Sequence, residues 1–284
     1  MRAAPVLRLP ALPAALVSGV LYGLCFPTPS LRALAWIALV PLLVAVRGAG
    51  RAGAAALALA WTVVAAATLG HWFPGTLASY YGQPLIVGFG FFFGVSALMA
   101  APYYVAFALW YRVVAGAAPR GLPLLAAAAW VAAEAARARW VGGNPWGLFG
   151  YSQIGRDALV QIADATGPYG VSFLLVAVNA AIADVIAERR ARLAGLAPVA
   201  ALLLVVPAYG AMRMATLPPA TGVPVTVGLV QGNVDVGAQW DEAMYGRNLD
   251  VYLGLTAELT RDDPPALIVW PENGLTFFLE DEPA

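Results

Sequence analysis

The sequence contains no lysine, a single cysteine (Cys25) and a single histidine (His71), and only 11% of its 284 residues are charged. One cysteine excludes an intramolecular disulfide and a cysteine-rich zinc site, and one histidine excludes a histidine-built metal centre. With no lysine, its 16 basic residues are all arginine and are balanced by 16 acids. Bulk charge therefore gives no surface for nucleic acid. Soluble domains carry about a quarter charged residues, so an ordinary soluble domain is excluded as well.

What is present is apolar: 61% of the residues are hydrophobic and the mean hydropathy is +0.74. The charges divide the chain near residue 215. Before it lie 14 arginines and five acids (Glu134, Asp157, Asp164, Asp184, Glu188); after it lie 11 acids with Arg247 and Arg261. This asymmetry predicts a polytopic membrane region over residues 1–215 and a water-soluble segment over 222–284.

A hydrocarbon core of about 30 Å takes roughly 20 helical residues to cross. Apolar stretches of suitable character fall at 11–26, 31–46, 53–73, 85–115, 121–138, 169–187 and 195–213, about seven spans in all. Pro27-Thr28-Pro29-Ser30 separates the first two into a tight helical hairpin, because proline removes donors and restricts its predecessor. The fourth is overlong and is expected to tilt or to extend past the bilayer. Ala/Gly-rich runs at 52–60 and 124–136 allow close helix approach.

Orientation follows from the arginines, which collect in short cytoplasmic loops. Arg2, Arg8, Arg47, Arg51, Arg112, Arg120, Arg189, Arg190 and Arg192 fall in one alternating set of loops. A cytoplasmic amino terminus and an odd number of spans then put the acidic segment outside the cytosol, which in a two-membrane bacterium is the periplasm. A cleaved signal peptide over 1–26 is the competing reading, and six further spans argue for retention as a first helix.

Polar residues inside apolar stretches are costly and so informative. Glu134 and Arg137 lie three apart near the end of the fifth span, on one helix face, as a possible ion pair or an anchor of the helix end. Asn179 is placed to bond between helices, and Asp184 to sit at the interface. The loop Asn144-Pro145-Trp146-Gly147-Leu148-Phe149-Gly150-Tyr151-Ser152-Gln153 is rich in glycine and aromatics. It suits the outer headgroup layer, either as an aromatic belt or as the floor of a lipid entry. His71 beside Trp72 reads as structural, and apolar surroundings suppress the thiolate of Cys25.

After residue 221 the pattern changes. Residues Val223 to Gln231 alternate as a strand. A helix capped near Asp241 runs to about Thr260 with Tyr245, Leu249, Tyr252, Leu255 and Leu259 as an apolar stripe, stopped by Asp262-Asp263-Pro264-Pro265. Ala266 to Trp270 is a second strand, fully apolar and expected to be buried on both faces. A strand, helix, strand unit implies parallel pairing. Glu272 then follows at the carboxyl end of the second strand, where sites in α/β sheets form. A partly desolvated carboxylate there gains the proton affinity of a general base, against the plainer reading of a surface acid.

Three stretches together resemble the apolipoprotein N-acyltransferases of the bacterial inner membrane: Trp130, Glu134 and Arg137 followed by Asn144-Pro145-Trp146 and Phe149 to Gln153; Val230-Gln231-Gly232-Asn233 followed by Trp240-Asp241-Glu242; and Ile268-Val269-Trp270-Pro271-Glu272. The resemblance implies a membrane bundle carrying a periplasmic nitrilase-like α/β sandwich, of which 222–284 is the first β-α-β unit. It implies transfer of an acyl chain from a phospholipid to the amino terminus of a diacylglyceryl apolipoprotein, with no cofactor. The chemistry implied is a Glu-Lys-Cys triad working through a thioester, with Glu272 as the glutamate. Trp240, Trp146 and Tyr151 are the implied substrate-side residues, with Glu134 and Arg137 structural. Lacking lysine, and with its one cysteine in the first span, the chain departs from the triad; the expectation is an amino-terminal, truncated part of such an enzyme, inactive alone. A membrane-anchored nitrilase-type amidase would share Glu272 without needing the aromatic loop. A transporter or scaffold would show paired halves, which the sequence lacks.

Overall fold

The computed structural model describes residues 10–117, 121–140, 143–187, 193–218, 221–234, 247–272 and 274. They fall into two compact units, one built from residues up to 74 and 89–217, the other from 75–88 and from 218 onward.

The chain runs through α1 (Ala11–Leu24), a 3₁₀ turn (Arg32–Trp36), α2 (Val40–Gly48), α3 (Arg51–Leu69), α4 (Phe73–Tyr80), α5 (Leu85–Met99), α6 (Ala101–Ala117) and α7 (Leu122–Arg139). A second 3₁₀ turn (Phe149–Gln153), α8 (Asp157–Val160), α9 (Ala163–Thr166), α10 (Pro168–Ala187) and α11 (Leu193–Ala215) complete the helical part. All seven apolar stretches thus hold helix. Three helices, α3, α10 and α11, are long and apolar enough to cross a membrane. A fourth crossing results if α5 and α6 count as one. The 14 residues of α1 rise about 21 Å at 1.5 Å each, short of a full crossing. The overlong fourth stretch is not one continuous helix: it breaks at Ala100 and bends by 44°.

In the helical unit α3 packs against α1 and α6, and α7 packs against α10 and α6, with α2 among them. The small side chains of Ala126 and Ala127, fully buried on α7, permit that approach. Trp61, Trp130, Tyr111 and Phe149 are the largest side chains enclosed.

Buried polar groups mark two poles of this unit. At one, Arg47 on α2 meets Asp184 on α10 at 2.6 Å, and Arg112 Nε donates to the Ala49 carbonyl at 2.6 Å. At the other, the backbone N–H of Gly150 donates to Ser172 Oγ at 2.8 Å, and Ser172 lies about 18 Å from Asp184 along α10 at 1.5 Å per residue. Between them Asn179 bonds across helices as its position suggests. Its Nδ2 donates to the carbonyls of Ala35 and Leu175, both at 2.8 Å, and its Oδ1 accepts the N–H of Leu39 at 2.8 Å. The bonds to Ala35 and Leu39 serve backbone groups of the irregular turn before α2.

The second unit contains β1 (Val227–Leu229), α12 (Arg247–Leu259) and β2 (Leu267–Val269). The strands pair in parallel, Val227 with Leu267 and Leu229 with Val269, as a strand, helix, strand order requires. Tyr252 of α12 is buried and stacks on Trp270 at 5.3 Å, while Trp270 Nε1 donates to Thr256 Oγ1 at 3.0 Å. The second strand is not buried on both faces: Leu267 is 53% and Val269 42% exposed. A two-stranded sheet with one helix leaves the remaining face uncovered among the described residues. Tyr245 and Asp241, the proposed start of the α12 stripe, lie outside the described residues.

Candidate functional site

The aromatic loop is not a belt on the surface. Residues 148–150, 152 and 153 are buried, and the turn is pinned into the bundle by α7 and α10. Glu134, fully buried on α7, accepts two hydrogen bonds at Oε1, from Trp130 Nε1 at 3.0 Å and from the backbone N–H of Phe149 at 2.7 Å. The spacing of Trp130 and Glu134 by one helical turn is what brings donor and acceptor onto one face. Gln153 Nε2 reaches the Arg32 carbonyl at 3.1 Å, and Ser152 Oγ donates to the Phe149 carbonyl at 2.7 Å. These bonds, with that of the Gly150 N–H to Ser172, pair polar groups of the turn inside the bundle. Gly150 is required where the turn meets α10, since a Cβ there would collide with the Pro168 carbonyl oxygen.

Arg137, one turn beyond Glu134, is 4% exposed. The possible ion pair does not form between them; Glu134 Oε1 and Arg137 Nη1 bond the loop backbone instead. Arg137 Nη1 donates to the Trp146 carbonyl at 2.7 Å, while Glu134 Oε2 and Arg137 Nε and Nη2 have no hydrogen-bond partner. The guanidinium lies over the Tyr104 ring, 5.8 Å from its centroid, a cation–π contact that partly offsets its burial. Gly147 adopts φ +63°, a left-handed conformation that glycine tolerates, and presents its carbonyl to Tyr22 Oη at 2.6 Å.

These groups border a cavity of about 520 Å³, within the range of roughly 300–1,000 Å³ typical of small-molecule sites. Its enclosed wall is aromatic: Tyr22, Trp61 and Tyr104, with ring centroids 5.0 Å apart from Tyr22 to Trp61 and from Trp61 to Tyr104. Its rim holds Trp72, Trp146 and Tyr151, of which Trp146 is 63% and Tyr151 37% exposed. Arg137 contributes the one charged side chain of the lining. The arrangement suits an apolar molecule with an oxygen-bearing head. Trp146 and Tyr151, read from the sequence as substrate-side, and Arg137, read as structural, all border this cavity with Tyr22, Trp61, Tyr104 and Phe92, which the sequence did not single out. The phenols of Tyr22 and Tyr104, set inside apolar stretches, were the available signal.

In the second unit Glu272 stands in a turn just past β2, three residues beyond Val269. It is exposed among the described residues. Trp240 lies outside the described residues. Cys25 is buried, with Sγ 3.0 Å from the Leu21 carbonyl, and His71 is exposed, with Nδ1 3.3 Å from the Thr68 carbonyl. No cluster of three or more potential metal ligands occurs among the described residues.

The family described as the apolipoprotein N-acyltransferase N-terminal domain matches residues 18–181, which include Glu134, Arg137 and the whole 144–153 loop. A protein of Geobacter metallireducens named apolipoprotein N-acyltransferase is 36% identical over 278 residues, covering 95% of this chain and 52% of that protein. One of Chlorobaculum tepidum with the same name is 30% identical over 271 residues, covering 93% and 49% respectively. The chain thus spans about half the length of the curated relatives it matches. On the strength of the match across its helical unit, this chain belongs to the apolipoprotein N-acyltransferase family.

Proposed function

We propose that the chain provides the membrane bundle and the opening β-α-β unit of a nitrilase-like domain in an enzyme that moves an acyl chain from a phospholipid to the α-amine of a diacylglyceryl apolipoprotein. The observation that carries this reading is the parallel β1–β2 pair with Trp270-Pro271-Glu272 directly after β2, in a chain of this family. A carboxylate at the carboxyl end of a parallel strand is where an α/β sheet builds its chemistry.

In the proposed cycle Glu272 takes the proton of a cysteine thiol. The thiolate attacks the phospholipid ester, the lysophospholipid leaves as an alcohol after protonation, and the lipoprotein amine then displaces the thiol from the thioester. A lysine would stabilise the oxyanion. Residues 1–284 contain no lysine and their one thiol is enclosed in the bundle, so the chain's part in this cycle is the base and the lipid-side scaffold. Trp146 and Tyr151 at the cavity rim, and Trp240, are the proposed contacts to lipid.

The proposed setting is the inner membrane, with about seven membrane segments, the amino terminus cytoplasmic and residues 222–284 periplasmic. Support comes from the arginine distribution and from the gathering of Arg47 and Arg112 at one pole of the bundle. The test is acyl transfer from labelled phospholipid to a diacylglyceryl peptide by the full-length Geobacter metallireducens relative. Transfer through a cysteine-bound acyl intermediate is expected. Hydrolysis of simple amides with no acyl transfer would overturn the reading in favour of an amidase.

A further inference from the structure

The cavity in the helical unit has a feature that acyl transfer at Glu272 does not use. A guanidinium offers two adjacent N–H groups, Nε and Nη2, on one edge, and that edge is the one that grips a two-oxygen acid head bidentately. In Arg137 this is the empty edge: Nη1 is bound to the Trp146 carbonyl, whereas Nε and Nη2 have no partner. The side chain is 4% exposed and borders the cavity, and both donors are closed to water beside Tyr104, so a head group meets them when the guanidinium turns toward the cavity. Leaving such donors unmatched is costly. Glu134 does not fill the edge: its Oε1 is taken by Trp130 and Phe149, its Oε2 has no hydrogen-bond partner, and it is not part of the lining.

Apart from Arg137, Thr62, Ser96 and Asn144, the lining is hydrocarbon and ring. Ala65, Ala66, Leu69, Phe92 and Trp61 form a continuous apolar wall beside Arg137. The exposed Trp72 and Trp146 stand at the rim, 6.4 Å apart between ring centroids. Aromatic residues of this kind suit the boundary between headgroup and acyl chain.

We propose that this cavity is a binding site for a single-chain anionic amphiphile, its carboxylate or phosphate oxygens held by the Nε and Nη2 edge of Arg137 and its hydrocarbon laid along the Ala65, Leu69 and Phe92 wall. The site is complete within the helical unit and stands whether or not Glu272 acts as a base. A bilayer supplies both head chemistries, as free fatty acid and as an acyl or alkyl phosphate.

The experiment is equilibrium binding of radiolabelled laurate, dodecyl phosphate and monolaurin, which share one tail length, to the full chain in phosphatidylcholine nanodiscs. Saturable binding of one acid-headed molecule per chain is expected, about tenfold tighter than monolaurin for at least one of the two acids. Whichever acid binds tighter identifies the head. Arg137→Lys keeps the charge and removes the fork, and should erase most of that preference. Ala65→Phe leaves Arg137 in place, narrows the apolar wall and should weaken all three ligands together, which keeps the test meaningful if the Arg137 variant folds poorly. Equal binding of acids and monolaurin, unsaturable uptake, or ligand affinities unmoved by Ala65→Phe would overturn the proposal.

Discussion

The backbone N–H of Phe149 donates to the carboxylate of Glu134 at 2.7 Å, a contact between α7 and a loop that returns 15 residues later. The same oxygen accepts Trp130 Nε1 at 3.0 Å. One carboxylate oxygen therefore fixes both the core tryptophan and the inserted turn. Glu134→Ala orphans two enclosed donors, each costing about 1–3 kcal/mol, whereas Glu134→Gln retains an acceptor oxygen for them. Thermal unfolding in detergent should show a large loss for the alanine variant and a smaller one for glutamine; equal losses would contradict the hydrogen-bond account.

Asn179 gives a second, independent check. Its amide serves Leu39, Ala35 and Leu175 together, and interhelical polar contacts inside a bilayer contribute on the order of 0.6–2 kcal/mol. Asn179→Leu should lower stability by about that amount and raise amide exchange at Leu39. Unchanged protection at Leu39 would show that the bond is not maintained in the membrane.

Asp164, in the short α9 helix, is held below the usual carboxylate range by hydrogen bonds from Tyr209 Oη and then Arg213, at 2.8 and 2.7 Å. A carboxyl whose folded-state pKa is depressed stabilises the fold above its unfolded pKa of about 3.9, and that contribution is lost as pH falls through the folded value. Attachment of α9 to α11 should therefore loosen only in strong acid, and Asp164→Asn should remove that dependence. Hydrogen exchange of residues 163–166 measured against pH reads it directly. A profile identical in the two proteins would refute the coupling.

For the proposed enzyme, Glu272→Gln keeps volume and removes the base. In the full-length protein the variant should insert normally and fail to form the acyl-cysteine, with activity falling by about two to four orders of magnitude. Normal acylation would remove Glu272 from the mechanism.

The lack of lysine carries its own expectation. Purified residues 1–284 should transfer no labelled acyl group to a diacylglyceryl peptide, because neither an oxyanion-stabilising lysine nor an accessible thiol is present. Measurable transfer would mean that another nucleophile does the work.

How much was legible beforehand depends on range. The strand, helix, strand order after residue 221 is written in local periodicity and punctuation, and the parallel pairing of β1 with β2 agrees with it. The helices are likewise written in their apolar runs. The break at Ala100 was not, since residues 85–115 read as one uninterrupted apolar stretch and hydropathy does not register a bend. Nor was the burial of Phe149 and Gln153, because a loop of glycines and aromatics suits a membrane surface as well as a bundle interior.

By itself, then, the sequence determined which segments are apolar, which are polar, and where a carboxylate follows a strand, because those properties reside in neighbouring residues. Only the tertiary structure decided that Glu134 and Arg137 hold a loop instead of each other, and that Arg137 keeps an unmatched pair of donors beside an aromatic cavity. The physical reason is that a buried polar group takes its partner from whatever the packed helices bring within about 3 Å, and that proximity is a property of the assembled bundle.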